Sequence, residues 1–179
     1  MLPSFAEAEY EKMFGVDSYL SATAKLYHGI KFRKGIILHM AEDTFIGDNV
    51  CVLVPKLFME RGSQIGAGTV LIGRDEIVLE ENVVVSYLCL LLSASDTTLG
   101  RFMNDASPES ERKIRRGPIR LKKNVFLGSH STVMPNLTIE EGIVVKAYSY
   151  VNYDLDEKNY IYGMHVYKDY LTLRPEGER

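Results

Sequence analysis

At 179 residues the chain has the size of a single domain, and its 46% hydrophobic content is enough to form one substantial core. A formal net charge of −3 leaves no surplus of Lys and Arg to gather against phosphates, which argues against nucleic acid as a partner. The longest apolar stretch, YLCLLL, is far too short to cross a bilayer, and no basic-then-apolar leader is recognisable, so a reduced, cytoplasmic protein without a membrane span is expected. Its two cysteines, Cys51 and Cys89, lack CxxC spacing and sit in aliphatic runs, where both read as small buried core residues.

The first element, SFAEAEYEKMF, predicts a short helix over 4–14, because Ser4 stands three residues before Glu7 in a capping-box spacing and good helix formers follow. A different rhythm then takes over across 30–151. Ile46 and Val52 are six apart, as are Ile65 and Leu71, and Leu79, Val85 and Leu91 repeat the step. The phase slips by one residue near KLFMERG and by two near GRDEIVL, as corners do when they absorb extra residues. After Leu91 the rhythm breaks into SASDTTLGRFMNDASPESERKIRRG, a polar and charged excursion over 93–117. It then resumes strictly: Leu121, Leu127, Val133, Ile139, Val145, Val151.

Neither helix nor hairpin has a period of six, since helices repeat at 3.6 and strands at 2. A coil with three flat sides of six residues does, and it stacks positions eighteen apart at one strand spacing, about 4.8 Å. Leu127 is then expected beneath Val145, with glycines at the corners of FIGDNV, QIGAGTV, FLGSHSTV and IEEGIVV. The whole chain reads as one mainly β domain. Beyond Val151 the six-beat fades into a tyrosine-rich extension over 152–179, expected as a terminal strand or a segment packed back on the coil, with RPEGER disordered.

Two segments carry a family resemblance. LSASDTTLG resembles a YSASDD segment of sugar O-acyltransferases, and RRGPIRLKKNVFLGSHSTVMPNLTIEEGIVVKAYSYV resembles the pattern IGxxVxIGxxSxVxPGVTIGxxxxVGAxSxV. Both are similar to the hexapeptide-repeat acyltransferases, nearest the galactoside, maltose and surface-sugar O-acetyltransferases. The resemblance covers about residues 30 to 170 and implies a left-handed parallel β-helix, a hand opposite to the usual crossover rule. It also implies a homotrimer, with acetyl-CoA as co-substrate in the groove between neighbours and the acceptor near the excursion. The implied reaction is acetyl transfer to a sugar hydroxyl of a surface polysaccharide or its nucleotide-linked precursor.

Such a transfer needs a base for the hydroxyl proton and donors for the oxyanion of the tetrahedral intermediate. Many relatives place a histidine early in the excursion, where this chain reads Ser93, Ala94, Ser95, Asp96. Asp96 and His130 are the candidate catalytic residues, Asp96 as acid/base or acceptor contact despite an ordinary aspartate pKa near 3.9. Ser93, Ser95 and Asn104 are candidates for the acceptor. For the cofactor the resemblance implies Ser129 beside the groove, the Ala147 backbone at the pantetheine arm and Lys168 near the CoA phosphates; Lys146 is a further candidate, which either adds a phosphate contact or obstructs the groove. Ser149 reads as inward packing. The chain departs from the pattern at Lys146, which replaces a glycine, and at Met164, His165, Val166 and Tyr167, which replace GNPA. The absent histidine and altered motif leave a second reading, a non-catalytic trimeric scaffold or ligand-binding prism that lost its base. His28, His39, His130 and His165 form no tight pair, so no zinc site is expected.

Overall fold

The computed structural model describes residues 14–156 together with the backbone of the strand Ile161–Tyr162. Three parallel sheets form the sides of a solenoid, and the chain visits them in rotation. The first face holds Tyr19–Leu20, Ile37–Met40, Lys56–Met59, Ile77–Leu79, Ile119–Leu121 and Leu137–Ile139. The second holds Lys25–Leu26, Phe45–Ile46, Gln64–Ile65, Val84–Val85, Phe126–Leu127, Val144–Val145 and Ile161–Tyr162. The third holds Lys31–Phe32, Cys51–Leu53, Val70–Ile72, Leu90–Leu92, Thr132–Val133 and Tyr150–Val151.

The eighteen-residue turn holds where the rhythm is strict: Leu127 pairs with Val145, Ile119 with Leu137 and Val133 with Val151. Earlier turns are longer, with Lys25 opposite Phe45 and Cys51 opposite Val70. The extra residues gather at one corner. From Val52 to Met59 and from Leu71 to Leu79 the inward positions are seven and eight apart, both between the third face and the first, whereas steps across the other corners remain six. These are the two slips expected from the sequence, and the excursion leaves from the same corner.

The first face sends two side chains per turn inward and the other faces one, and those of the stacked turns form columns such as Met40, Met59, Leu79, Leu121 and Ile139, none more than 2% exposed. Between columns sit small corner residues: Thr44, Ser63, Val83, Val125 and Ile143 at one inner corner, and Val50, Thr69, Cys89, Ser131 and Ser149 at another. Every turn buries its row only against the turns above and below, so stability accumulates by nearest-neighbour contacts. Cys89 belongs to this core, but Cys51 is half-buried. Its neighbour Val52 takes the inward position, and strand alternation turns Cys51 the other way. Both thiols are free.

Residues 4–13 of the expected N-terminal helix lie outside the described residues. Phe14, the last residue of that segment, is not helical: it makes an isolated parallel bridge to Ile36 and sets its ring edge-on to Phe32 at 5.0 Å. Among the described residues no helix is long and apolar enough to cross a membrane.

Candidate active site

Two corners gather the candidate residues. At the corner between the second and third faces, one backbone position per turn takes a left-handed conformation. In the early turns it is Gly29, Asn49 and Gly68, residues that tolerate positive φ; in the later turns it is Leu88, His130 and Tyr148, with φ of 55°, 60° and 59°. The corner between the first and second faces uses only Asp43, Gly62, Asn82, Asn124 and Gly142 for the same purpose. Bulky residues held at positive φ store strain, which concentrates at functional sites. The His130 ring lies parallel on Tyr148, with centroids 4.7 Å apart.

Two positions before three of these stand Gly47, Gly66 and Gly128, where the next turn passes too close for a side chain. A Cβ on Gly66 would stand 2.7 Å from the Ser86 carbonyl carbon, and one on Gly128 only 2.4 Å from the Ala147 nitrogen. Ser86 interrupts this glycine column, and its hydroxyl meets that of Ser129 at 2.8 Å. Ser86 also lines a cavity of about 300 Å³ with Tyr27, Phe45, Asp48, Gln64 and Tyr87. Tyr27 and Phe45 wall it with edge-to-face rings, 5.8 Å between centroids. Ser86 therefore lines the cavity and touches Ser129, which with Ala147 is the stretch that the family resemblance implies for the cofactor.

The second corner joins the third face to the first and releases the excursion. Ala94–Asp96 and Ile114–Arg116 pair antiparallel as its stem, closed at the base by the Gly117 N–H donating to the Ser93 carbonyl. The register across the break is undisturbed, since Ile77 pairs directly with Ile119. Within the excursion the Arg112 guanidinium is 6% exposed and grips Asp96 with both ends: Nε–H donates to Oδ1 at 2.9 Å and Nη2–H to Oδ2 at 2.5 Å. Arg112 also meets Asp105 at 2.7 Å. The hydrogen bonds and charge of Arg112, with a further contribution from Arg74, hold the Asp96 carboxyl below the usual aspartate range.

The structure distributes the sequence-derived candidates between these corners. Asp96 and His130 lie at opposite ends of the third-face strands, one at each corner, and no described contact joins them. Ser93 is fully buried, its hydroxyl donating to the Asp75 carbonyl and accepting from the Asp75 N–H. Ser95 bonds the Asp96 carbonyl at 3.2 Å. The Asn104 side chain accepts from the Ala106 N–H and the Ser107 hydroxyl, forming a local turn. Lys146 and Ala147 are exposed at the first corner, and the Lys146 carbonyl accepts from the hydroxyls of Ser131 and Ser149. Ser149 is buried. His39 donates from Nε2 to the Asp17 carbonyl and packs on Phe58, a structural setting. Lys168 and the Met164–Tyr167 motif lie outside the described residues. Among the described residues no three His, Cys, Asp or Glu side chains converge as a metal site.

Ser86 and Arg112 escaped the sequence reading. Ser86 was detectable as the one serine in a glycine column, once the turns are aligned across their slips.

The chain matches no protein-family model and no curated protein. Solved structures do match, and those of AntD, an N-acyltransferase from Bacillus cereus, share the coil over most of its length. With AntD in complex with dTDP and 3-hydroxybutyryl-CoA, identity is 28% and the TM-score 0.64, over 90% of this chain and 84% of AntD. A serine-to-alanine variant of AntD bound to dTDP-4-amino-4,6-dideoxyglucose and coenzyme A gives 26% and 0.67 over the same shares. An aspartate-to-alanine variant bound to dTDP and coenzyme A gives 28% and 0.62, over 88% of this chain and 83% of AntD. The varied serine and aspartate lie ten residues apart in AntD. In repeat and fold the chain is similar to these acyltransferases along most of its length.

Proposed function

We propose that the chain is an acyl-CoA-dependent sugar acyltransferase that moves a short acyl group, acetyl in the simplest case, onto a nucleotide-linked sugar. It works as a homotrimer of left-handed coils, with each site shared by two copies. The observation that carries this reading is that Ser86 and Asp96 repeat the residue types and the ten-residue spacing of the two positions varied in AntD. Ser95 and Asp105 have the same spacing, but the Asp105 side chain is 90% exposed and the Ser95 hydroxyl is engaged with a neighbouring carbonyl. Ser86, by contrast, lines a cavity, and Asp96 is held by a buried guanidinium.

The two residues belong to the same turn but sit at different corners. A threefold arrangement that sets the second-to-third corner of one copy against the third-to-first corner of the next brings Ser86 and Asp96 to one height. The cofactor then runs along Ser129 and Ala147, its thioester near Ser86. Lys146 is exposed beside that line and available to the CoA phosphates, and His130 forms part of the groove wall.

Charge favours an amine as the acceptor. A carboxylate held below the usual range is a weak base for a sugar hydroxyl, but it suits an amine. As the neutral amine attacks the thioester carbonyl, positive charge builds on nitrogen and negative charge on oxygen. Asp96 stabilises the first, the Ser86 hydroxyl, oriented by Ser129, donates to the second, and the proton on nitrogen passes to the departing sulfur. The C–N bond forms, the C–S bond breaks, and the CoA thiolate leaves to be protonated.

The test is mass spectrometry of products after incubation with acetyl-CoA and either dTDP-4-amino-4,6-dideoxyglucose or a dTDP-sugar bearing only hydroxyls. Acylation of the amino sugar alone is expected. Acylation of neither, with no calorimetric heat on adding acetyl-CoA, would favour the scaffold reading.

A further inference from the structure

Arg74 and Arg116 converge on one carboxylate. Arg74 follows the third-face strand Val70–Ile72 at the corner that absorbs extra residues, and Arg116 ends the returning stem strand opposite Ala94. Between them stands Glu109, in a one-turn 3-10 segment, Glu109–Glu111, from the far part of the excursion. Arg74 Nη1–H donates to Glu109 Oε2 at 2.9 Å, and Arg116 Nη2 meets the other oxygen, Oε1. The remaining acids of the excursion are engaged elsewhere: Glu111 with Arg101 at 3.4 Å, and Asp96 and Asp105 with Arg112. Arg74 is also close enough to Asp96 for its charge to act on that carboxylate.

Two features separate this clasp from a structural ion pair. All three side chains are 41% to 54% exposed, so solvent screens the attraction and little stability is at stake. Two guanidinium groups facing one oxyanion from different elements also make the fork arrangement that binds phosphate, which carries more charge and more acceptor oxygens than a carboxylate. We infer that Arg74 and Arg116 form the diphosphate subsite for a nucleotide-linked acceptor, with the Glu109 carboxylate as an internal occupant that the diphosphate displaces. The inference rests on the proposed reading of the acceptor as nucleotide-linked. It places the diphosphate beside Asp96, so that a sugar attached to it reaches the groove.

Calorimetry with dTDP, inorganic pyrophosphate and coenzyme A, on the full chain and the variants Arg74→Ala, Arg116→Ala and Glu109→Gln, tests it. Removing either arginine should weaken dTDP about tenfold or more, the effect of losing a charge-assisted hydrogen bond. Glu109→Gln should tighten dTDP and pyrophosphate about two- to fivefold, since a neutral amide competes poorly for the arginines. Coenzyme A, which also carries a diphosphate, should bind all four proteins alike. Opposite signs for the arginine and glutamate variants are the signature, because a clasp that merely fixes the loop would weaken binding in every variant. If dTDP binds the native chain and Glu109→Gln or the arginine variants leave its affinity unchanged, the subsite is wrong while the nucleotide reading stands. A native chain that binds neither dTDP nor pyrophosphate overturns both. An arginine effect on coenzyme A alone would assign the pair to the donor and overturn the inference.

Discussion

Ser86 and Ser129, forty-three positions apart in the chain, share a hydrogen bond of 2.8 Å between their hydroxyls where a serine stands between the corner glycines Gly66 and Gly128. The turns above and below place glycine here because the backbone of the following turn approaches closely, so a side chain needs a reason to be present. In the proposed reaction its hydroxyl is a donor, which requires Ser129 to donate to Ser86 in their shared hydrogen bond.

Ser86→Ala should therefore lower kcat by about a hundredfold or more, the usual effect of losing one oxyanion donor, while leaving coenzyme A affinity and the urea midpoint close to native. Steady-state kinetics with calorimetry separates the two effects. An alanine variant with native kcat would remove Ser86 from the chemistry.

Asp96 and Arg112 give a pH dependence of definite sign. The folded carboxyl is held below its unfolded range by Arg112, so the ion pair contributes stability above the unfolded pKa of about 3.9. That contribution is lost as pH falls from there through the lower folded value. Arg112→Gln should lower thermal stability at neutral pH and flatten its decline on acidification below about pH 4. In activity profiles the acid limb should move upward toward the ordinary carboxylate range. Melting curves recorded from pH 3 to pH 7 decide the matter: parallel profiles for the two proteins would mean the pair contributes nothing.

What the sequence disclosed follows from the physics of each part. The coil was legible because its inward positions obey one spacing, so Leu127 could be set beneath Val145 and the slips located before any coordinates. The site was less so. Asp96 drew notice by its place in the excursion, but its partner Arg112 is sixteen residues away in a segment without period, and only folding brings the two together. Ser86 was hidden by the slips that misalign its turn with its neighbours. The burial of Ser93 and the outward turn of Cys51 follow from strand alternation near corners, where a one-residue shift exchanges inside for outside.

The corner of Leu88, His130 and Tyr148 offers a last test, because the fold shows what the same position looks like without strain. A non-glycine L-residue at positive φ costs roughly 1–2 kcal/mol, partly offset in a glycine replacement by the extra entropy of the unfolded chain, about 0.5–1 kcal/mol. Leu88 is 52% exposed, so little burial is lost on removing it. Leu88→Gly should leave monomer stability unchanged or raise it by up to about 1 kcal/mol. Asn82→Leu, which puts a leucine into the left-handed position of the opposite corner, should cost about 1–2 kcal/mol. Urea unfolding of both variants measures this, and in the proposed trimer sedimentation of Leu88→Gly should show weakened association, since the strained leucine then serves the groove rather than the coil. A Leu88→Gly variant destabilised by several kcal/mol with unchanged association would show that the side chain instead holds the turn together.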